Sequence, residues 1–448
     1  MKKYSAYIVF LAIIIGVIIA WKPWHTGNGR DEKSEEETTV SSGLNSLPTD
    51  DSTPSTLSKS KICIYMENSG SMDGYVNLNS EFKDALGKII VKSNNFFQST
   101  HLYFVNNEIY DVENTALKGD VNNFVAQLNS QTMKIGSTGS SNINKIFQLV
   151  LDRTNKDTVS ILFSDFVYSI QGTDVSNQVA NAKNATMGAF MKAIKKDPDF
   201  ATIILKCKSQ FQGRYFNRND QPFTYTGERP YYIFIMGSYE RLKEIDSKLE
   251  LDKSQTGIPG LTNKYFLSSK SWSLTEDHVQ ALTSSYTNSN LIKAERDGLN
   301  IDFIKYDKSN GGVTFGYAFG LKNLFVDDSY LQDITNYDVD PQSAKIIKAE
   351  FTTDAVAKDE VPQFQRPLVL QFNLANEDLT KNIKIRLTNK LPKWVHTSSV
   401  PDDINGVPQP TQTFAIASLL EGVFEAFKAQ MGDKPYFEIE LNINNYKK

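Results

Sequence analysis

Cysteine is scarce in this sequence, with only Cys63 and Cys207 in 448 residues. Two thiols cannot build the disulfide framework that staples small secreted domains, and each sits in an apolar run where a small core residue is expected. Histidine is equally thin. Its four copies, His25, His101, His278 and His396, are scattered, and no H-E-x-x-H, G-x-S-x-G or G-x-x-x-x-G-K pattern occurs. These absences point away from an enzyme, and no catalytic residue is assigned. A Ser-His-Asp site using His101 is left open by the residues. A basic excess is missing too: 48 Lys and Arg stand against 52 Asp and Glu, a net charge of −4, so nucleic acid is not an expected partner.

Long apolar runs are absent beyond residue 21, which makes the one before it informative. "YSAYIVFLAIIIGVIIAW", Tyr4 to Trp21, carries no charge. As a helix it would be about 27 Å long, enough to span a bilayer. Lys2 and Lys3 ahead of it favour a cytoplasmic N-terminus, and bulky Trp21 and Trp24 stand where a signal-peptidase site needs small residues. Residues 1–21 are therefore expected to be a retained single-pass anchor, with the bulk of the chain outside the cytoplasm, periplasmic or at the cell surface. Residues 22–60 are polar, acidic and rich in Ser and Thr, the composition of a disordered linker. The Lys-flanked anchor, few cysteines and many Asn and Lys look bacterial.

What is present after residue 60 falls into two rhythms. From Lys61 strand-like and helix-like stretches alternate: "KICIYM", a helix with Phe82, Leu86, Ile89, Ile90 and Phe97 on one face, a hairpin through Asn106 and Asn107, a helix from Ile143 to Leu151, "TVSILF", a helix from Val175 to Lys195, "ATIILKC", "YYIFIMG" and a closing helix. That series predicts an α/β fold over 61–251, a doubly wound, Rossmann-like sheet with helices on both faces. Beyond it, short alternating runs separated by Asn, Gly, Asp and Pro predict a β-rich domain at 256–345 and a β-sandwich-like domain at 346–448. The latter holds one helix, whose stripe of Ile416, Leu419, Leu420, Val423, Phe424 and Phe427 is expected in a core.

Oxygen-bearing side chains gather at strand ends. Glu67, Ser69 and Ser71 follow the strand Ile62–Met66, "GSTGSSNINKIF" precedes a helix, and Ser164 with Asp165 ends "ILFSDF". In a doubly wound sheet these positions meet at one rim. Hydroxyls and carboxylates without His or Cys suit a hard cation such as Mg²⁺, with Mn²⁺ or Ca²⁺ as alternatives. Without a cation, the same "NSGSMDG" reads as a turn whose serines cap backbone. Asp73 and the pair Asp327 and Asp328 read as solvated loop acids.

"ENSGSM", "GSTGSSNINKIF" and "ILFSDF", in that order, resemble the von Willebrand factor A domain, whose metal-ion-dependent adhesion site has the pattern D-x-S-x-S, a later Thr and a later Asp. The resemblance covers about Lys61 to Leu251. It implies that Ser69 and Ser71 ligate the cation through their hydroxyls, and that Asp165 is the last acid. The Thr position falls on Ser141 or Thr138, with Ser141 favoured by its spacing to the following helix. One departure is Glu67 in place of the first Asp; its extra methylene pushes the carboxylate onto the metal or displaces the water it should hold. The implied function is cation-dependent binding of a protein partner that offers an Asp or Glu carboxylate. Two other readings differ in kind: a metal-independent envelope scaffold, and a hydrolase that uses the cation to activate water.

Overall fold

The computed structural model describes residues 60–445 apart from 120, 140–141, 271–273, 283–285, 287–291, 295–298, 304–312, 322–323, 353–357, 360, 365 and 375–381. The anchor expected at 1–21 and all of the linker expected at 22–60 except Ser60 lie outside those residues. Among the described residues no helix is long and apolar enough to cross a membrane.

Strand β1 (Lys61–Glu67) sends Ile62, Ile64 and Met66 into one core and Cys63 and Tyr65 into another, as the two-residue period of a doubly buried strand requires. Helix α1 (Glu81–Phe96) follows, its first turn capped by the Ser80 hydroxyl. Then come β2 (Ser99–Val105), β3 (Ile109–Asp111), α2 (Ile143–Arg153), β4 (Thr158–Ser164) and α3 (Val175–Lys196). Next are β5 (Phe200–Phe216), β6 (Pro222–Ser238), α4 (Tyr239–Leu249) and β7 (Leu261–Ser268). The seven strands form one mixed sheet in the order β3-β2-β1-β4-β6-β5-β7. Helices α1 and α4 cover one face, through Phe82, Leu86, Leu242 and Ile245. Helices α2 and α3 cover the other, through Ile146, Phe147, Phe190 and Ala193. Cys63 and Cys207 are both buried free thiols.

Only β2, β1 and β4 run parallel. The alternation expected to continue through "YYIFIMG" breaks instead: β5 and β6, of 17 residues each, form one antiparallel hairpin, and β6 inserts between β4 and β5. No helix separates them because the intervening residues alternate as a strand does, with Phe211 and Tyr215 inward and their neighbours outward. The turn is fixed by Asn217, whose Oδ1 accepts from the amides of Asn219 and Gln221 at 3.0 and 2.9 Å. The outer half of this hairpin continues past the sheet rim and leans over the loop after β1.

The β-rich part is a two-sheet sandwich. It comprises β8 (Val279–Leu282), β9 (Ile292–Ala294), β10 (Asn300–Phe303), β11 (Val313–Phe319), β12 (Tyr337–Asp340), β13 (Ala344–Phe351), β14 (Leu368–Leu374) and β15 (Ile383–Leu387). A two-residue bridge joins β16 (Ser399–Val400) to β17 (Thr413–Phe414); helix α5 (Ile416–Met431) and β18 (Phe437–Asn445) end the chain. The sheets are β13-β14-β11-β8 and β12-β15-β18-β10-β9, and one apolar core joins them. Each sheet contains strands from both sides of residue 345, so the division into 256–345 and 346–448 is corrected to one sandwich. A second correction concerns the helix. Helix α5 belongs to the α/β part: Ile416, Leu419, Leu420, Val423 and Phe427 share the core of α2 and α3. It crosses α3 so closely that a Cβ on Gly422 would stand 2.6 Å from the Lys183 carbonyl. Strand β7 likewise pairs with β5 and extends the α/β sheet past residue 251.

Candidate metal centre

Three loops meet where β1 and β4 end. The first leaves β1 at Glu67, which is fully buried; its Oε1 accepts from the Ser69 amide at 2.9 Å and so folds Ser69 back over the strand end. Ser69 Oγ and Ser71 Oγ are 3.0 Å apart. The chain can then turn tightly because Gly74 meets the hairpin with no side chain in the way; a Cβ there would overlap the Phe211 ring at 2.3 Å.

The second loop is brought in by two asparagines. Asn68 Nδ2 donates to the carbonyls of Met133 and Ile135 at 2.8 and 2.9 Å, and Asn106 Nδ2 donates to Asn68 Oδ1 and to the Ile135 carbonyl at 2.9 and 3.0 Å. Both asparagines are buried, and their amides stand in for backbone partners that the loop does not supply itself. The loop arrives with Thr138, whose carbonyl accepts from the Gly70 amide at 3.1 Å.

The third loop leaves β4 at Asp165, which is 4 % exposed. Phe166 turns the chain there with a left-handed φ of 52°, a conformation held by ring packing on Phe147 and Phe234 at 5.5 and 4.9 Å and by its amide's bond to Ser164 Oγ. Burial pushes the Asp165 carboxyl up. Hydrogen bonds from the Val167 amide and the Ser71 side chain, with the Arg229 charge, pull part of the way back. Arg229 is itself 1 % exposed, stacks 4.6 Å from the Tyr215 ring centre, and donates to the Pro408 carbonyl at 3.1 Å.

Ser69, Ser71 and Thr138 line one cavity of about 290 Å³, with Asp73, Lys134, Arg214, Phe216 and Asp220 among its other walls. Glu67 and Asp165 stand at the strand ends that carry these loops. Of the two positions for the third hydroxyl, Thr138 lines the cavity and Ser141 lies outside the described residues. Asp73, read from sequence as a solvated acid, is a partly buried wall residue whose carboxyl burial pushes up, while Lys134 and Arg214 oppose that push. Asp327 caps a short helix by accepting from the Ser329 amide at 2.9 Å, and Asp328 pairs with Arg366 at 3.0 Å. His101 is not at this site: it pairs with Cys63, four residues before Glu67 on β1, which is about 13 Å down the strand.

The fit of a hard cation can be tested on the donor spacing. Cis ligands of an octahedral ion with bonds of about 2.1 Å lie about 3.0 Å apart, and neighbouring oxygens in the seven- or eight-coordinate shells of Ca²⁺ lie at about the same separation. The two serine oxygens, at 3.0 Å, hold that separation. Two buried carboxylates beside them supply the negative charge that a cation would offset. Among the described residues no group of three or more His, Cys, Asp or Glu has metal-ligating placement, so any cation here would rest on hydroxyls with acids behind them. No family model, curated protein or solved structure matches this chain.

Proposed function

We propose that the α/β part of this chain is a von Willebrand factor A-type domain that binds a divalent cation and, through it, an Asp or Glu of a protein partner. The chain is held to the membrane by residues 1–21, and the domain acts outside the cytoplasm. The observation that carries this reading is the convergence of Ser69, Ser71 and Thr138 on one cavity, with Glu67 and Asp165 at the strand ends that carry their loops. Ser69 and Ser71 would hold the ion, Asp165 would hold Ser71 by hydrogen bond, and Glu67 would fix the Ser69 backbone. Bound there, the ion would supply a fixed double charge with room for an anionic oxygen from outside.

Glu67 takes a particular part in this reading. With one carboxylate oxygen on the Ser69 amide, its extra methylene is used to reach over the strand end. The serine spacing suits Mg²⁺, Mn²⁺ and Ca²⁺ alike.

The test is direct titration of the full chain in mild detergent with Mn²⁺, followed by paramagnetic resonance. Saturable binding is expected, weakened by about 10–100-fold or more in Ser69→Ala, with circular dichroism unchanged. Capture of a partner from solubilised membranes should then be lost in EDTA. Absence of Mn²⁺ binding, or capture undiminished by EDTA and by Ser69→Ala, would sink the cation reading and favour the metal-independent scaffold.

A further inference from the structure

We infer that Lys134 and Arg214 form an anion subsite beside the Ser69–Ser71 loop, and that the partner segment therefore carries two acidic side chains, one for the cation and one for this pair. The role of the first acid rests on the proposed function; the second rests on the placement of these two cations. Arg214 lies on the outer half of β5, and its guanidinium sits 5.6 Å from the centre of the Phe216 ring. The edge of that ring covers Gly70, where an added Cβ would meet it at 3.3 Å. Phe216 thus rests on the residue between Ser69 and Ser71 and carries the Arg214 charge above the loop.

Lys134 reaches the same cavity from the loop that carries Thr138. The carbonyls on either side of it, those of Met133 and Ile135, are both held by Asn68, the residue before Ser69. Its backbone is therefore fixed against the site loop while its side chain is exposed. Two cations and two carboxylates line the cavity, but the acids are not equally engaged. Asp220 accepts from Ser169 Oγ and Gln171 Nε2 at 2.7 and 2.9 Å, which directs it to the loop after β4. Asp73 is the acid on which Lys134 and Arg214 both act, and among the described residues neither cation forms a salt bridge. One partly buried carboxylate serves two cations, and an incoming acid would supply the second.

An Arg fork in cation–π contact with an aromatic ring can take a carboxylate through two N–H groups, and a flexible Lys lining the same cavity adapts to the remaining oxygen. Both side chains are exposed and line the cavity, so they are open to a second acid of the same segment. A single acid, by contrast, would leave the pair facing Asp73 alone.

The test uses the full chain with 1 mM Mn²⁺ (a probe concentration of about that order for a weak site) and blocked glycine peptides. One series carries an Asp and a Glu separated by one to three glycines, and its control has Gln in place of Glu. At the best spacing the two-acid peptide is expected to bind about tenfold tighter than its control. That advantage should vanish in Lys134→Ala/Arg214→Ala, while Mn²⁺ binds at least as tightly as in the parent because two nearby positive charges are gone, and the single-acid control peptide gains no advantage from the pair. A Lys134→Glu/Arg214→Glu variant should prefer a peptide with Lys at the second position. Equal binding of the two-acid peptide and its control, or binding of neither, overturns the subsite. A two-acid preference that is lost in the double variant supports it even where Mn²⁺ proves not to bind, and in that case only the cation reading falls.

Discussion

The α/β part and the sandwich bury different chemistry. Around the mixed sheet, Glu67, Lys83, Asp165, Asp197, Lys206, Arg218, Arg229 and Asp403 are all buried. Among the described residues the sandwich buries Asn336 and Thr352 but no charged side chain, and its core is aromatic and aliphatic throughout. Its charges pair outside, as Glu438 does with Lys384 and Arg386. Burying a charge costs free energy even when it is paired, while an apolar core of the same size costs none. The sandwich is thus built like a support, and the rim of the α/β sheet is built like a place where position matters more than stability.

The two parts are nevertheless stitched together by the segment between Ser398 and Thr413, which lies across the β5–β6 hairpin. Asp402 pairs with Arg218 Nε at 2.7 Å, Asp403 accepts from the Tyr215 hydroxyl and the Arg218 amide, and the Ile404 carbonyl accepts from Asn217. The chain leaves the sandwich after β15, straps the hairpin that walls the cavity, and then forms α5 against α3. The wall containing Arg214 and Phe216 is therefore held from residues nearly two hundred positions away.

The largest effect that sharpens the comparison lies in the sandwich. Phe372 is fully buried and stacks on Phe315 with centroids 5.3 Å apart. Phe372→Ala should cost about 3–5 kcal/mol, read by denaturant melting, while the Mn²⁺ affinity of the folded chain stays at the parent value. A parallel loss of affinity would break the division between support and site.

Next in size is a change at the rim that should act the other way. Because burial raises the Asp165 carboxyl above its ordinary value, the folded chain without cation holds that proton more tightly than the unfolded chain does. A raised carboxyl contributes most to stability below the unfolded value, and that contribution is lost as pH rises through the folded one. Asp165→Asn, a neutral isostere, should therefore melt higher than the parent at pH 7 without cation, and the difference should close toward about pH 4. Any stabilisation by Mn²⁺ should disappear in the same variant. A lower melting point at pH 7 would mean that the Arg229 charge outweighs burial.

Legibility in the sequence follows the same divide. The strand Ile62–Met66 and the helix faces of α1, α2 and α5 are visible because their apolar residues repeat at 2 or 3.6 positions, a signal contained in one short window. Glu67, Ser69, Ser71 and Asp165 are visible as a polar break at the end of such runs. What stays hidden depends on partners far along the chain. Gly74 is a turn residue in isolation, and only the structure brings Gly213 and Phe211 against it. Asp73 looks solvated until Lys134 and Arg214 surround it, and nothing local marks Asn68 and Asn106 as the pair that carries in the Thr138 loop. The β5–β6 hairpin carried a local signal, the alternation through "QFQGRYF" and "PFTYTGE", but the expected α/β rhythm ran over it.

The smallest effect concerns a charge that serves the strap and not the cavity. Lys206, on β5, is buried, and its Nζ donates to Ser398 Oγ and the Thr411 carbonyl at 2.6 and 2.8 Å. Neither partner is charged, so burial lowers the Lys206 ammonium from its ordinary 10.5 to about 8. The sign follows from which state holds the proton. Below about pH 8 the lysine is charged both folded and unfolded, and the fold bears the whole cost of burying it. Between about pH 8 and 10.5 the folded chain releases the proton first, and that cost fades. Lys206→Met removes the charge and its two hydrogen bonds together. The bonds contribute an offset that does not change with pH, whereas the charge contributes a slope. Parent stability minus that of Lys206→Met should therefore climb between pH 8 and pH 10, about two units of the window over which the proton is lost. Denaturant midpoints of both chains at half-unit steps would show it, and every other titrating group cancels in the difference. A flat difference would mean that Ser398 and Thr411 solvate the ammonium as well as water does, and the strap would then rank with the sandwich, as a support that bears no electrostatic cost.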